Sequence, residues 1–281
     1  VAVDAVSQGA GGDADRRAER DHRRKVTLSA TQFDFTGKVA LVTGGSTGIG
    51  RATALLFARS GARVVIGDIN PEGRKTVETI EQKGGTAFFV ETDVTSAEQV
   101  ENLIATAVKT YGGLHCAFNN AGALPAGALL ADVEESAFEK IMAVDLKGVF
   151  LSMKYEIRHM LQSGGGSIVN NASVAGMIGE PGISSYVAAK HGVIGLSKSA
   201  GLEYASSGIR INALAPGLVE TGMTKHWFDD PDTRARLLAN TPIGRVAQPE
   251  EMAGMVLFLC SDLASYAAGQ VFVVDGGYTA H

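Results

Sequence analysis

Tyr186 and Lys190 stand four residues apart in the stretch 184–190, which is alanine-rich and followed by small apolar residues. Such a stretch predicts the first turns of a buried helix, where positions i and i+4 share one face. A lysine ammonium beside a phenol favours the phenolate, which turns a poor proton acceptor into a usable base near neutral pH. Thirteen residues before the tyrosine, Ser173 follows the run Ser167-Ile168-Val169-Asn170-Asn171-Ala172, which reads as a buried strand ending at a site. A hydroxyl there can hold a substrate oxygen while Tyr186 moves its proton. Two such residues can equally decorate a core helix, so the weight falls on what surrounds them.

A second chemical stretch is Thr43-Gly44-Gly45-Ser46-Thr47-Gly48-Ile49-Gly50, between a short apolar run and a helical pattern. Glycines there let the backbone turn tightly and approach a pyrophosphate, which a helix N-terminus attracts. The spacing is Gly-x-x-x-Gly-x-Gly, not the general Gly-x-Gly-x-x-Gly fingerprint. Asp68 ends the next apolar run, where a carboxylate can accept bonds from adenosine ribose hydroxyls and repel a 2′-phosphate. No arginine occupies positions 45–47, so the expected cofactor is NAD.

The elements that must position these residues alternate. Strands are predicted at 38–43, 64–68, 87–90, 116–118, 167–172, 209–214 and 271–274. Helices are predicted at 48–60, 71–84, 96–111, 134–162, from 184 onward, and at 249–260; Gly61 reads as a helix stop, and the stretch after Thr221 as irregular. Continuous apolar strands alternating with helices imply a parallel sheet covered on both faces. The expected fold is α/β: one doubly wound domain over residues 35–281, with residues 1–34 a flexible N-terminal extension rich in charge and poor in large apolar residues. Arg16-Arg17 and Arg23-Arg24 lack the apolar segment of an export signal, and a short partner-binding helix remains an alternative reading of the extension.

Composition excludes several classes. A net charge of −5 argues against a basic nucleic-acid surface. No apolar run approaches membrane-spanning length. Two cysteines make no disulfide framework, and a reducing cytoplasmic setting is expected. The six histidines form no metal-ligand spacing, and Ser173 lacks the Gly-x-Ser-x-Gly elbow of a serine hydrolase.

Four separated motifs carry a specific resemblance: the turn at 43–50, Asn119-Asn120-Ala121-Gly122, Ser173 with Tyr186 and Lys190, and Pro216-Gly217 followed by Thr221. Over about residues 35–281 the chain resembles the short-chain dehydrogenase/reductase family. The resemblance implies a single Rossmann-type sheet, usually seven-stranded, and NAD(P)-linked alcohol–carbonyl chemistry. It implies that Tyr186 is the acid/base, that Ser173 holds the substrate oxygen, and that Lys190 tunes Tyr186 and contacts the nicotinamide ribose. It also places Gly44, Ser46, Thr47, Gly48, Ile49 and Gly50 at the cofactor, with Asp68 and Ile69 at its adenosine end. Asp93 and Val94 would flank the adenine. Asn119 would line the nucleotide cleft with Asn120, Ala121 and Gly122, and the loop of Pro216, Gly217, Val219 and Thr221 would close over the nicotinamide.

One position departs from the family pattern. Asp145, in Val144-Asp145-Leu146-Lys147-Gly148, stands where asparagine usually carries a proton-relay water to the lysine. An aspartate can serve too, but it brings charge unless burial keeps it neutral. Met177, Ile178 and Glu180 are expected to border the substrate, and Trp227 and Phe228 either contact it or pack a lid. The alternatives to a secondary-alcohol dehydrogenase are a 3-oxoacyl-thioester reductase and a non-catalytic NAD-binding protein. The resemblance also implies a small-molecule substrate and a homotetramer.

Overall fold

In the computed structural model, residues 33–280 are described. Seven strands, β1 (Val39–Thr43), β2 (Arg63–Asp68), β3 (Thr86–Glu91), β4 (Cys116–Asn119), β5 (Gly166–Asn171), β6 (Ile209–Pro216) and β7 (Val271–Val274), form one sheet in the order β3-β2-β1-β4-β5-β6-β7. Every adjacent pair is parallel. The winding reverses between β1 and β4, and at such a switch point the loops leaving the two strand ends diverge and open a crevice.

Both faces of the sheet are covered, which is why all five residues of β1 are buried. One face packs on α1 (Gly48–Arg59) and α9 (Pro249–Cys260) through Leu56, Phe57, Met252 and Val256. The other packs on α3 (Ala97–Tyr111), α5 (Gly148–Ser163) and α6 (Ser184–Tyr204) through Leu103, Met153, Ile157 and Val193. Phe33 packs against the first of these clusters, its ring 6.5 Å from Phe35. Residues 1–32 of the expected extension lie outside the described residues.

Three elements differ from expectation. The helix expected from Pro71 to Gly84 is α2 (Gly73–Glu81). The Asn70 side chain accepts the N–H of Glu72 and holds the entry in a turn, and Gly84, with φ +79°, ends it early. The long helix expected over 134–162 is α4 (Glu135–Ile141), a π-helical segment (Met142–Lys147) and α5. The stretch after Thr221 is not irregular: it folds into α7 (Lys225–Asp229) and α8 (Pro231–Ala239). Asp230 caps α8 by accepting the N–H of Thr233 at 2.9 Å, with proline at the first helical position.

Among the described residues, no helix is long and apolar enough to cross a membrane, and no group of His, Cys, Asp or Glu is placed to hold a metal ion.

Candidate active site

The crevice begins at the glycine turn. Gly44 sits at φ +67°, and a Cβ on Gly50 would lie 2.1 Å from the Gly44 carbonyl oxygen, so only glycine lets α1 start this close to β1. The Thr47 side chain does not cap α1, which leaves first-turn N–H groups for a ligand. From the far side of the switch point, Asn120 braces the turn. Its Nδ2 donates to the carbonyls of Thr43 and Gly44, both at 3.1 Å, while Thr43 Oγ1 accepts the N–H of Asn120 and of Ala121.

Asp68 lies beside this turn at the end of β2. Its carboxylate accepts the N–H of Ser46 at 3.0 Å and of Asn70 at 2.9 Å, and Ser46 Oγ donates to the Asn70 carbonyl. The neighbouring Ile69 is two-thirds exposed, an apolar side chain left open at this edge of the crevice. Asp93, after β3, accepts the N–H and hydroxyl of Thr95, while Val94 is buried. The loop after β6 completes the rim: Gly217 donates to the Val274 carbonyl, and Thr221 donates its N–H to Thr224 Oγ1. Thr221 approaches the start of α1 at Gly48, and Val219 is buried. An open-ended helix N-terminus, a turn with no room for side chains and a fixed carboxylate are a donor set that fits a dinucleotide.

The second half of the site is built on β5 and α6. Ser173 Oγ accepts the N–H of Ala175 at 3.1 Å, which leaves its hydroxyl hydrogen to donate. Tyr186 lies in the first turn of α6 and is half-buried. One turn later Lys190 is only 3% exposed, with Nζ 5.3 Å from the centre of the Tyr186 ring. The ammonium donates to the Asn171 carbonyl at 2.9 Å and pairs with Asp145 Oδ1 at 3.3 Å. Burial opposes its charge, but Tyr186 and Asp145 outweigh that effect and hold the Lys190 pKa above its usual value.

Asp145 is fully buried at the π-helical segment, whose wider turn carries it to the lysine. Burial pushes its carboxyl up, while Lys190 and the N–H of Ala123, at 3.2 Å from each carboxylate oxygen, pull it back. The aspartate therefore meets the lysine directly, not through the relay water expected of an asparagine.

One expectation is corrected. Asn119 does not line the cleft: it is buried behind the strand end, with Nδ2 donating to Glu156 Oε2 at 3.0 Å and to Asn170 Oδ1 at 2.9 Å. Asn120, the next residue, faces the crevice and accepts from Asn171 Nδ2 at 3.0 Å. Sequence reasoning also missed Glu156, a wholly buried carboxyl on α5 whose pKa burial raises to about 7. Asn171 ends β5, and its carbonyl fixes the lysine, a backbone role that side-chain spacing does not signal.

On the substrate side, Met177, Ile178 and Glu180 lie between Ser173 and Tyr186. Tyr278 reaches this loop from the turn after β7 and donates to Glu180 Oε1 at 2.6 Å, which pushes the phenol up to about 12. Trp227 and Phe228 are half-buried on α7, and His191 is exposed.

A family model described as enoyl-(acyl carrier protein) reductase matches residues 44–279. Cyclohexanol dehydrogenase of Acinetobacter sp. strain SE19 is 46% identical over 87% of this chain and 96% of its own length. The 2,5-dichloro-2,5-cyclohexadiene-1,4-diol dehydrogenase of Sphingobium indicum is 44% identical over 88% and 99%. A crystal structure assigned to an NAD(P)-dependent gluconate 5-dehydrogenase of Beutenbergia cavernae, with NADP at low occupancy, superposes with a TM-score of 0.84 at 36% identity. It covers 89% of this chain and 99% of that one.

Proposed function

The chain belongs to the short-chain dehydrogenase/reductase family, and from that membership we propose an NAD-dependent enzyme that interconverts a secondary, cyclic alcohol and its ketone. The observation that carries this reading is Lys190, an almost fully buried ammonium held against Asn171 and Asp145 on the helix face of Tyr186, with Ser173 at the adjoining strand end.

In oxidation, Tyr186 takes the hydroxyl proton of the alcohol. Ser173 donates a hydrogen bond to the substrate oxygen, and that bond strengthens as charge develops there. Lys190 keeps a positive charge beside the phenol. The bound cofactor supplies the acceptor for the carbinol hydride. Its pyrophosphate would be held by the N–H groups at Gly48–Gly50, and its adenosine ribose by Asp68. The fixed Asp68 carboxylate supports NAD over NADP, because a 2′-phosphate would meet like charge. Asp93 with Val94, Ala121 with Gly122, and Pro216 with Thr221 are assigned to the adenine, the cleft wall and the nicotinamide cover.

A panel of cyclic and acyclic secondary alcohols, read by NADH absorbance, tests this function. Turnover of cyclohexanol-type substrates is the expected result. Inertness towards every alcohol, combined with reduction of an acetoacetyl thioester by NADPH, would replace it with the acyl-thioester reading. We infer in addition a cytoplasmic homotetramer, and that residues 1–32 can be deleted with little change in cofactor affinity or stability.

A further inference from the structure

The loop between Ser173 and Tyr186 forms the substrate side of the site, yet it is lightly tied down. Its first turn is closed by bonds from Met177 and Ile178 to the Val174 carbonyl, and its far end by the N–H of Ala128 donating to Gly182. Between these ties, Glu180 is joined to the rest of the fold by a residue 98 positions away, Tyr278.

Tyr278 itself stands on a stiff support. Asp275 accepts the N–H groups of Gly277 and Thr279 and the hydroxyl of Thr279, winding residues 275–279 into a closed turn. The turn is held between the loop that follows β6 and the segment that follows α8. A Cβ on Gly217 would lie 2.7 Å from Asp275 Cα, so the turn presses on the loop that follows β6. The Gly276 carbonyl accepts the N–H of Ile243, beyond α8.

We propose that the Tyr278–Glu180 hydrogen bond is a specificity-determining strut, by which the turn after β7 fixes the substrate loop against the loop that follows β6 and the segment that follows α8. Tyr278 is a positioning residue: it sets how closely the alcohol is held and takes no part in moving the proton. A neutral alicyclic alcohol fits such a strut, since an acid substrate would meet the Glu180 carboxylate as like charge. The inference rests on the assignment of Ser173 and Tyr186 as the reacting end. Wild-type turnover of cyclohexanol tests that assignment, whereas comparison of variants with wild type tests the strut.

Tyr278→Phe removes one hydrogen bond to a carboxylate and should raise KM for the alcohol about five- to tenfold. The saturated kcat, the calorimetric Kd for NAD and the melting temperature should stay near wild type. Glu180→Gln keeps an acceptor for the phenol and should hold KM within about twofold of wild type, while Glu180→Ala should match Tyr278→Phe. Without any turnover, hydrogen exchange of the 177–182 amides should quicken in Tyr278→Phe and not in Glu180→Gln. An unchanged alcohol KM in Tyr278→Phe, an equal loss of NAD affinity, a fall in melting temperature of the same rank, or unaltered exchange would each overturn the proposal.

Discussion

Lys190 and Asp145 form a direct ion pair of 3.3 Å in which both side chains are almost wholly excluded from solvent. The carboxylate draws on the same ammonium that faces the Tyr186 ring. An ionised Asp145 therefore offsets part of the positive field that Lys190 presents to the Tyr186 ring. Asp145→Asn removes that offset, so the rising limb of alcohol oxidation against pH should move to lower pH. Rates measured from pH 6 to 10 at saturating NAD provide the check, with NAD affinity expected to stay level. A superimposable profile would show that Asp145 carries no charge in the working enzyme.

Tyr186→Phe deletes only the phenolic oxygen. Turnover should fall by about two to four orders of magnitude, the range associated with losing a general acid/base. NAD binding by calorimetry should persist, because Lys190 keeps its bonds to Asn171 and Asp145. Near-native rates on a good alcohol would remove Tyr186 from the chemistry.

The proposed preference for NAD rests on Asp68. Its carboxylate is fixed by the N–H groups of Ser46 and Asn70, so it cannot swing aside for a phosphate without giving up both. Titration should show tighter binding of NAD than NADP, and Asp68→Ala should narrow the ratio by about tenfold, worth roughly 1.4 kcal/mol. Equal affinities in the wild type would contradict the assignment.

Glu156 makes stability depend on pH. Its carboxyl rises from 4.5 to about 7 on folding because burial disfavours the charge. The folded state thus binds its proton more tightly than the unfolded chain. The contribution is intact below pH 4.5 and lost as pH climbs through about 7. Glu156→Gln should melt like wild type at pH 5 and be the more stable protein at pH 8. The ceiling on the difference is about 3 kcal/mol. A constant difference across that range would mean that Glu156 does not titrate there.

The parts of the site that were legible in sequence are local. The glycine turn follows its own strand, and Tyr186 and Lys190 share one helix, so spacing alone brings them together. Asn119 and Asn120 show the limit. They are identical residues at consecutive positions, and strand alternation sends one behind the sheet and the other into the crevice. Which is which depends on the register of β4 against β1, where Asn119 lies opposite Thr43. Asp145 was recognisable as a departure, but the π-helical turn that delivers it to Lys190 leaves no periodic signature. Glu156 is one of several polar residues in the span expected to be a long helix. Its carboxyl meets Asn119 of β4, which in turn donates to Asn170 of β5, so its partner comes from a distant strand. Tyr278 and Glu180 are too far apart in the chain for any pattern to pair them. The helix α8 could have been found, since Asp230-Pro231 is a cap followed by a first-turn proline.

The brace between Asn120 and Thr43 closes a span of 77 residues. A chain emerging from its N-terminal side can pair β1 with β2 and β2 with β3 early, but its nucleotide turn has nothing behind it until β4 docks. In refolding from denaturant, helical signal should therefore return before the ability to bind dinucleotide, because long-range parallel pairing is the slow step. Assembly order is written into the strand order: the pocket matures after the half-sheet that carries its glycines.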